Sequence, residues 1–121
     1  MPNGIQSLLD NLPIRIAELQ KVKEILFANA VMLGEIPAPT FEETDRIQFL
    51  ANRFTEESLQ SISIDESGNA MGILPGCKGK QTILVLAHAD TPFDASVDHA
   101  MTVTESRITG PGIADNSLGL A

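Results

Sequence analysis

The sequence has no tryptophan, no tyrosine and only five phenylalanines, so it lacks the stacking platforms on which single-stranded bases are held. A single cysteine, Cys77, cannot close a disulfide within the chain, and nothing in the cysteine count asks for an oxidising compartment. Positive charge is scarce: eight Lys and Arg stand against sixteen Asp and Glu, a net charge of −8 at pH 7. That balance opposes binding to nucleic-acid phosphates and to anionic membranes. Long apolar runs are missing too. The longest, Ile83 to Ala87, is far short of the roughly 20 residues that span a bilayer. Met1-Pro2-Asn3-Gly4 shows neither the basic region nor the apolar stretch of a secretory signal. The expectation is a cytoplasmic protein with neither nucleic acid nor membrane as partner.

What is present is ordinary globular material: 121 residues, 43% hydrophobic and 20% charged, enough for one small domain over 1–121 and one core. No internal repeat or low-complexity segment interrupts it. Between Pro13 and Ile36, apolar residues recur at Ile16, Leu19, Val22, Ile25, Leu26, Met32 and Leu33, the three-and-four spacing of one helical face. Pro13 suits a first helical position, and Pro37 and Pro39 impose an extended crossing after the helix. Thr40-Phe41-Glu42-Glu43 fits a capping box that starts a second helix at Thr40. That reading accounts for Glu42 and Glu43 as helix-entry charges. Behind them Ile47, Leu50, Ala51 and Phe54 form the apolar face, with Asp45, Arg46, Asn52 and Glu56 expected on the wet side.

Past Leu59 the period falls to two. Ser61–Asp65, a turn at Glu66-Ser67-Gly68-Asn69 and Ala70–Leu74 spell a β-hairpin, followed by a polar loop over 75–80. Thr82-Ile83-Leu84-Val85-Leu86-Ala87 has the uninterrupted apolar character of a strand buried on both faces of a sheet. One further strand is expected over Met101–Ile108, ended by Gly110-Pro111-Gly112, after which Asp115-Asn116-Ser117 has the form of a helix entry. The fold class expected is α/β, with two N-terminal helices on a mixed sheet that contains the hairpin and the central strand.

Chemistry gathers at two places. His88-Ala89-Asp90 stands at the carboxyl end of the apolar strand, where α/β sheets place functional groups. A His there can give one ring nitrogen to a metal while a nearby carboxylate fixes its orientation. It can equally be satisfied by a backbone carbonyl, with Asp90 making a turn before Pro92. Gly110-Pro111-Gly112-Ile113-Ala114-Asp115-Asn116 brings backbone close to a site and delivers a carboxylate, Asp115, which suits either a metal ligand or a helix N-cap. Neither place has the glycine spacing of a nucleotide loop. His99 is expected in a solvent-exposed loop, and Cys77 has no His or acid pattern that would make it a nucleophile.

Taken in order, Ile36-Pro37-Ala38-Pro39-Thr40-Phe41-Glu42-Glu43, Asp65-Glu66-Ser67-Gly68-Asn69, Ile83–Thr91 with its His88-Ala89-Asp90, and Gly110–Asn116, together with the first helix, make the chain resemble a family of co-catalytic zinc peptidases. That family contains carboxypeptidase G, peptidase T, aminoacylase and acetylornithine deacetylase. The resemblance covers roughly residues 14 to 121 and implies the N-terminal part of a phosphorylase/hydrolase-like catalytic domain. It implies that His88 binds one zinc ion, that Asp90 orients His88 as part of the catalytic apparatus, and that Asp115 bridges two ions across a cis Asp115–Asn116 peptide. The activity implied is hydrolysis of an amide in a peptide or an N-acyl amino acid.

The family's later Glu-Glu pair and remaining ligands have no counterpart in the 121 residues. A zinc site needs at least three protein ligands per ion. The chain alone is therefore expected to be inactive, with weak zinc binding or none. An apolar patch is expected to stand open and to favour self-association. The alternative reading is a non-catalytic interaction module that retains the fold.

Overall fold

A computed structural model describes residues 4–77, 79 and 81–121. The segment read for a signal, Met1–Asn3, and Lys78 and Lys80 of the polar loop lie outside the described residues. The first helix, α1 (Gly4–Gly34), starts nine residues before Pro13 and carries that proline inside it. Helical spacing already holds at Ile5, Leu8, Leu9, Leu12 and Ile16. The helix tolerates one missing N–H there because its other turns remain hydrogen-bonded. Only its last turns are buried, at Ala30, Leu33 and Gly34. Ile5, Leu8, Leu9, Leu12 and Leu19 remain exposed.

The crossing after α1 is non-helical, as the prolines require. The Thr91 N–H donates to the Ala38 carbonyl at 2.8 Å, and Pro39 and Thr91 form an isolated parallel bridge. The second helix, α2 (Thr44–Glu56), begins four residues after Thr40 and has no side-chain cap. One long-range and one local bond accompany the later start. The Thr40 hydroxyl is drawn away to Asp90, and Glu43 accepts from the Phe41 N–H at 2.7 Å instead of from Thr40.

Leu50 and Ala51 of α2 join Ala30, Leu33 and Ala38 in the small core. Arg46 joins them, fully buried, and is not on the wet face. It lies four residues before Leu50, hence on the same helical stripe, and its donors are taken up by carbonyl groups beneath α2.

The hairpin forms as its turn chemistry demands: β1 (Gln60–Ile64) pairs antiparallel with β2 (Ala70–Ile73). The Asp65 carboxylate closes the turn by accepting from the Ser67 and Asn69 N–H groups at 3.0 and 2.8 Å, and the Asn69 amide holds its carboxyl below the usual carboxylate range. The strand expected over Met101–Ile108 is two short ones, β3 (Thr102–Val103) and β4 (Ile108–Thr109), paired antiparallel. They are joined by a polar turn in which the Thr104 N–H donates to Arg107 O. A kinked turn over Ile113–Ser117, non-helical at Asp115 and Asn116, and a short α3 (Leu118–Leu120) follow.

The class is thus mixed α/β, with three helices and two separate two-stranded antiparallel sheets among the described residues. The single mixed sheet is not formed. Thr82–Ala87 belongs to no sheet, and Ile83, Leu84, Val85 and Leu86 are 78–85% exposed. A strand is buried on both faces only where neighbouring strands take its N–H and C=O groups and other elements cover its side chains. Among the described residues nothing does either. No described helix is long and apolar enough to cross a membrane.

Candidate metal centre

The end of the apolar run and the 113–117 turn meet through side chains. The Nδ1 atom of His88 lies 3.1 Å from Asp90 Oδ1 and 3.2 Å from the Asp90 carbonyl oxygen. Both neighbours are acceptors, so a proton on Nδ1 is hydrogen-bonded there. The Nε2 atom faces Asp115 Oδ1, again at 3.1 Å. With the ring neutral and its proton on Nδ1 this sets a lone pair against a carboxylate, a repulsion that a proton on Nε2 or a bound cation relieves. The His88–Asp90 pair and Asp115, remote from it in sequence, therefore come to one place, with His88 between the two carboxylates.

Several elements hold this arrangement. Arg46 donates through Nε and Nη2 to the Ile36 carbonyl and through Nη1 to Ala89 O at 2.9 Å, tying the proline crossing to the residue between His88 and Asp90. Thr40 Oγ1 donates to Asp90 Oδ2 at 2.7 Å. That bond, more than the smaller contribution of His88, keeps the Asp90 carboxyl below its ordinary range against partial burial. Asn116 reaches the His88 carbonyl more loosely, at 3.5 Å.

On the opposite side Gly112 O accepts from the N–H groups of both Asp115 and Ser117, and the Asp115–Asn116 peptide is cis. Gly112 has φ +68°, and a Cβ built on it would lie 3.0 Å from Thr91 Cγ2. Gly112→Ala is accordingly expected to destabilise the protein by about 1–2 kcal/mol, read as a lower midpoint in urea. A variant as stable as the parent would show that this turn is not constrained at Gly112.

The residue types suit zinc: one imidazole nitrogen and one carboxylate oxygen. Their separation suits it too. At zinc bond lengths of about 2.1 Å, two ligands of one ion stand about 3.0 Å apart at a right angle and about 3.4 Å apart at a tetrahedral angle. The set is nevertheless short. Among the described residues no group of three or more His, Cys, Asp or Glu side chains is arranged to hold a metal ion.

His99 does not contribute, and it is not the solvent-exposed residue expected. It is 6% exposed, with Nε2 donating to the Asp94 carbonyl at 3.2 Å. The loop folds over it because Asp94 and Asp98 each turn the chain by accepting a backbone N–H two residues on. A cleft of about 590 Å³, walled by Phe27, Val103, Ile108 and Leu118, lies between α1 and the β3–β4 hairpin, and neither His88 nor Asp115 lines it.

Sequence reasoning missed two residues that organise this site, Thr40 and Arg46. Thr40 carried the signal of a helix cap, which masks any longer-range use of its hydroxyl. Arg46 did carry a usable signal in its i, i+4 spacing to Leu50. No protein-family model matches the chain, and no curated protein matches it.

Proposed function

We propose that the chain carries half of a two-zinc amide-hydrolysing centre of the peptidase and deacylase kind. His88 Nε2 and Asp115 would hold the metal, and Asp90 would fix the ring. The observation that supports this most directly is the approach of His88 Nε2 and Asp115 Oδ1 to 3.1 Å, with Nδ1 engaged by Asp90. Zinc bound there supplies Lewis acidity to an amide carbonyl and to water. The chain's own share is to aim Nε2, keep the proton on Nδ1 and present Asp115 from a rigid turn. The ordered motifs that resemble the zinc peptidase family support the same assignment, with peptides or N-acyl amino acids as substrates.

Two donors do not complete a zinc site. Hydrolysis by this polypeptide therefore requires further ligands and a general base from other residues. The test is a zinc titration of the chelator-stripped chain followed at the His88 ring. Binding that ignores His88 and Asp115 would overturn the reading.

A second reading, a non-catalytic interaction module, is favoured by the apolar surface at Ile83–Leu86 and along the first turns of α1. Patches of this kind mark interaction surfaces. Light scattering on the metal-free chain is expected to give a mass above one copy. Ile83→Lys combined with Val85→Lys is expected to weaken self-association about tenfold or more. A metal-free oligomer would favour the module. A co-purifying polypeptide that restores zinc binding and activity would favour the hydrolase, and a monodisperse monomer would remove the self-association reading.

A further inference from the structure

Asp90 can orient His88 only if its own carboxylate is held. The main chain on either side of it is pinned: Ala89 O by Arg46 at 2.9 Å, and the Thr91 N–H by Ala38 O at 2.8 Å. What remains free is the Asp90 side chain. One of its oxygens, Oδ1, faces His88 Nδ1. The other, Oδ2, accepts from Thr40 Oγ1 at 2.7 Å, across fifty residues of sequence.

Thr40 stands before α2, which starts at Thr44, and its hydroxyl caps no helix. The segment that carries it is itself set by local bonds. Phe41 has φ +73° and donates its N–H to Glu43, and Glu42 donates its N–H to the Pro39 carbonyl.

We propose that Thr40 is a positioning residue, whose hydroxyl locks the Asp90 carboxylate in the orientation that keeps the His88 proton on Nδ1 and leaves Nε2 to a metal ion. The use of that lock rests on the metal reading above. The lock itself does not, because it is defined by bonds within the chain. A carboxylate is acceptor-only and accepts the Nδ1–H hydrogen bond.

The experiment reads the His88 tautomer directly, from the ring ¹⁵N shifts of labelled protein at pH 8.5, where an ordinary imidazole is neutral. It is run in the Asp115→Ala background, so that Asp90 is the one carboxylate left beside the ring. The Nδ1–H form is expected to dominate. Thr40→Val, which keeps the shape and removes the donor, is expected to lower the Nδ1–H to Nε2–H ratio roughly tenfold, and Thr40→Ser to restore it. Thr40→Ala serves as a second loss-of-donor variant, with backbone amide spectra showing that each variant is folded.

A ratio unchanged in both Thr40→Val and Thr40→Ala overturns the proposal, as does a parent without Nδ1–H dominance. Zinc titrations on the native Asp115 background separate the two claims. A roughly tenfold weaker affinity in Thr40→Val alongside the tautomer loss supports both. Tautomer loss with no zinc binding by the parent supports the lock and sinks the metal reading. Zinc binding of equal strength in parent and Thr40→Val, with unchanged tautomers, sinks the lock and leaves the metal reading standing.

Discussion

Arg46→Ala is expected to lower the unfolding free energy by about 2–4 kcal/mol, the largest stability loss of any single substitution considered for this chain. The guanidinium is fully buried, and burial pulls its pKa down, with the Asp90 charge partly offsetting that effect. It stays charged and buried because the Ile36 and Ala89 carbonyl groups accept its protons. Alanine would leave both carbonyls dry and open a void under α2, and each buried unsatisfied polar group costs about 1–3 kcal/mol.

Arg46→Lys keeps the charge but has no planar fork to span the two carbonyls, so it should recover part of the loss. Urea unfolding at neutral pH measures both variants. A loss for Arg46→Ala below about 0.5 kcal/mol, the level of an ordinary surface substitution, would contradict the buried fork. The same variant should release Ala89 and disturb the His88 ring resonances while leaving the β1–β2 hairpin unchanged.

The second large effect is on metal. In a Cys77→Ser parent, which removes the exposed thiol as a competing ligand, zinc added to the chelator-stripped protein should perturb His88 before His99. With only two donors the affinity is expected to be weak. His88→Ala and Asp115→Ala should each reduce it by about 100-fold or more, equivalent to roughly 2.7 kcal/mol, because each removes one of the two atoms that face the ion. His99→Ala should have no effect, since that ring is buried and its Nε2 is engaged with Asp94. Zinc that binds at Cys77 alone in the unmodified chain, and nowhere once it is replaced, would rule the centre out. Binding tighter than about 1 μM, or about −8 kcal/mol, would mean that a second copy completes the ligand set.

Local regularities were legible in the residues themselves. The three-and-four spacing from Ile16 to Leu33 and from Ile47 to Phe54 specified the bodies of α1 and α2. Asp65 and Asn69 specified the turn between β1 and β2, and Pro37 and Pro39 the extended crossing. His88, Asp90 and Asp115 stood out in the sequence with other uses still open to them, and their mutual approach depended on the fold. Errors arose where two local signals competed. Pro13 marks a helix start in isolation, yet the apolar spacing runs straight through it. Thr40 and Glu43 match a capping box, yet each side chain has a different partner.

What these 121 residues determine alone is therefore the set of helices and turns, whose causes lie within a few positions along the chain: periodic side chains, fixed proline angles, side chains that bond nearby N–H groups. Tertiary structure decided the remainder, because burial and polar pairing depend on atoms distant in sequence. It placed Arg46 in the core instead of in water, enclosed His99, turned Thr40 toward Asp90 and set Asp115 against His88. It also left Ile83–Leu86 uncovered, since apolar side chains are buried only where another surface meets them, and among the described residues none does.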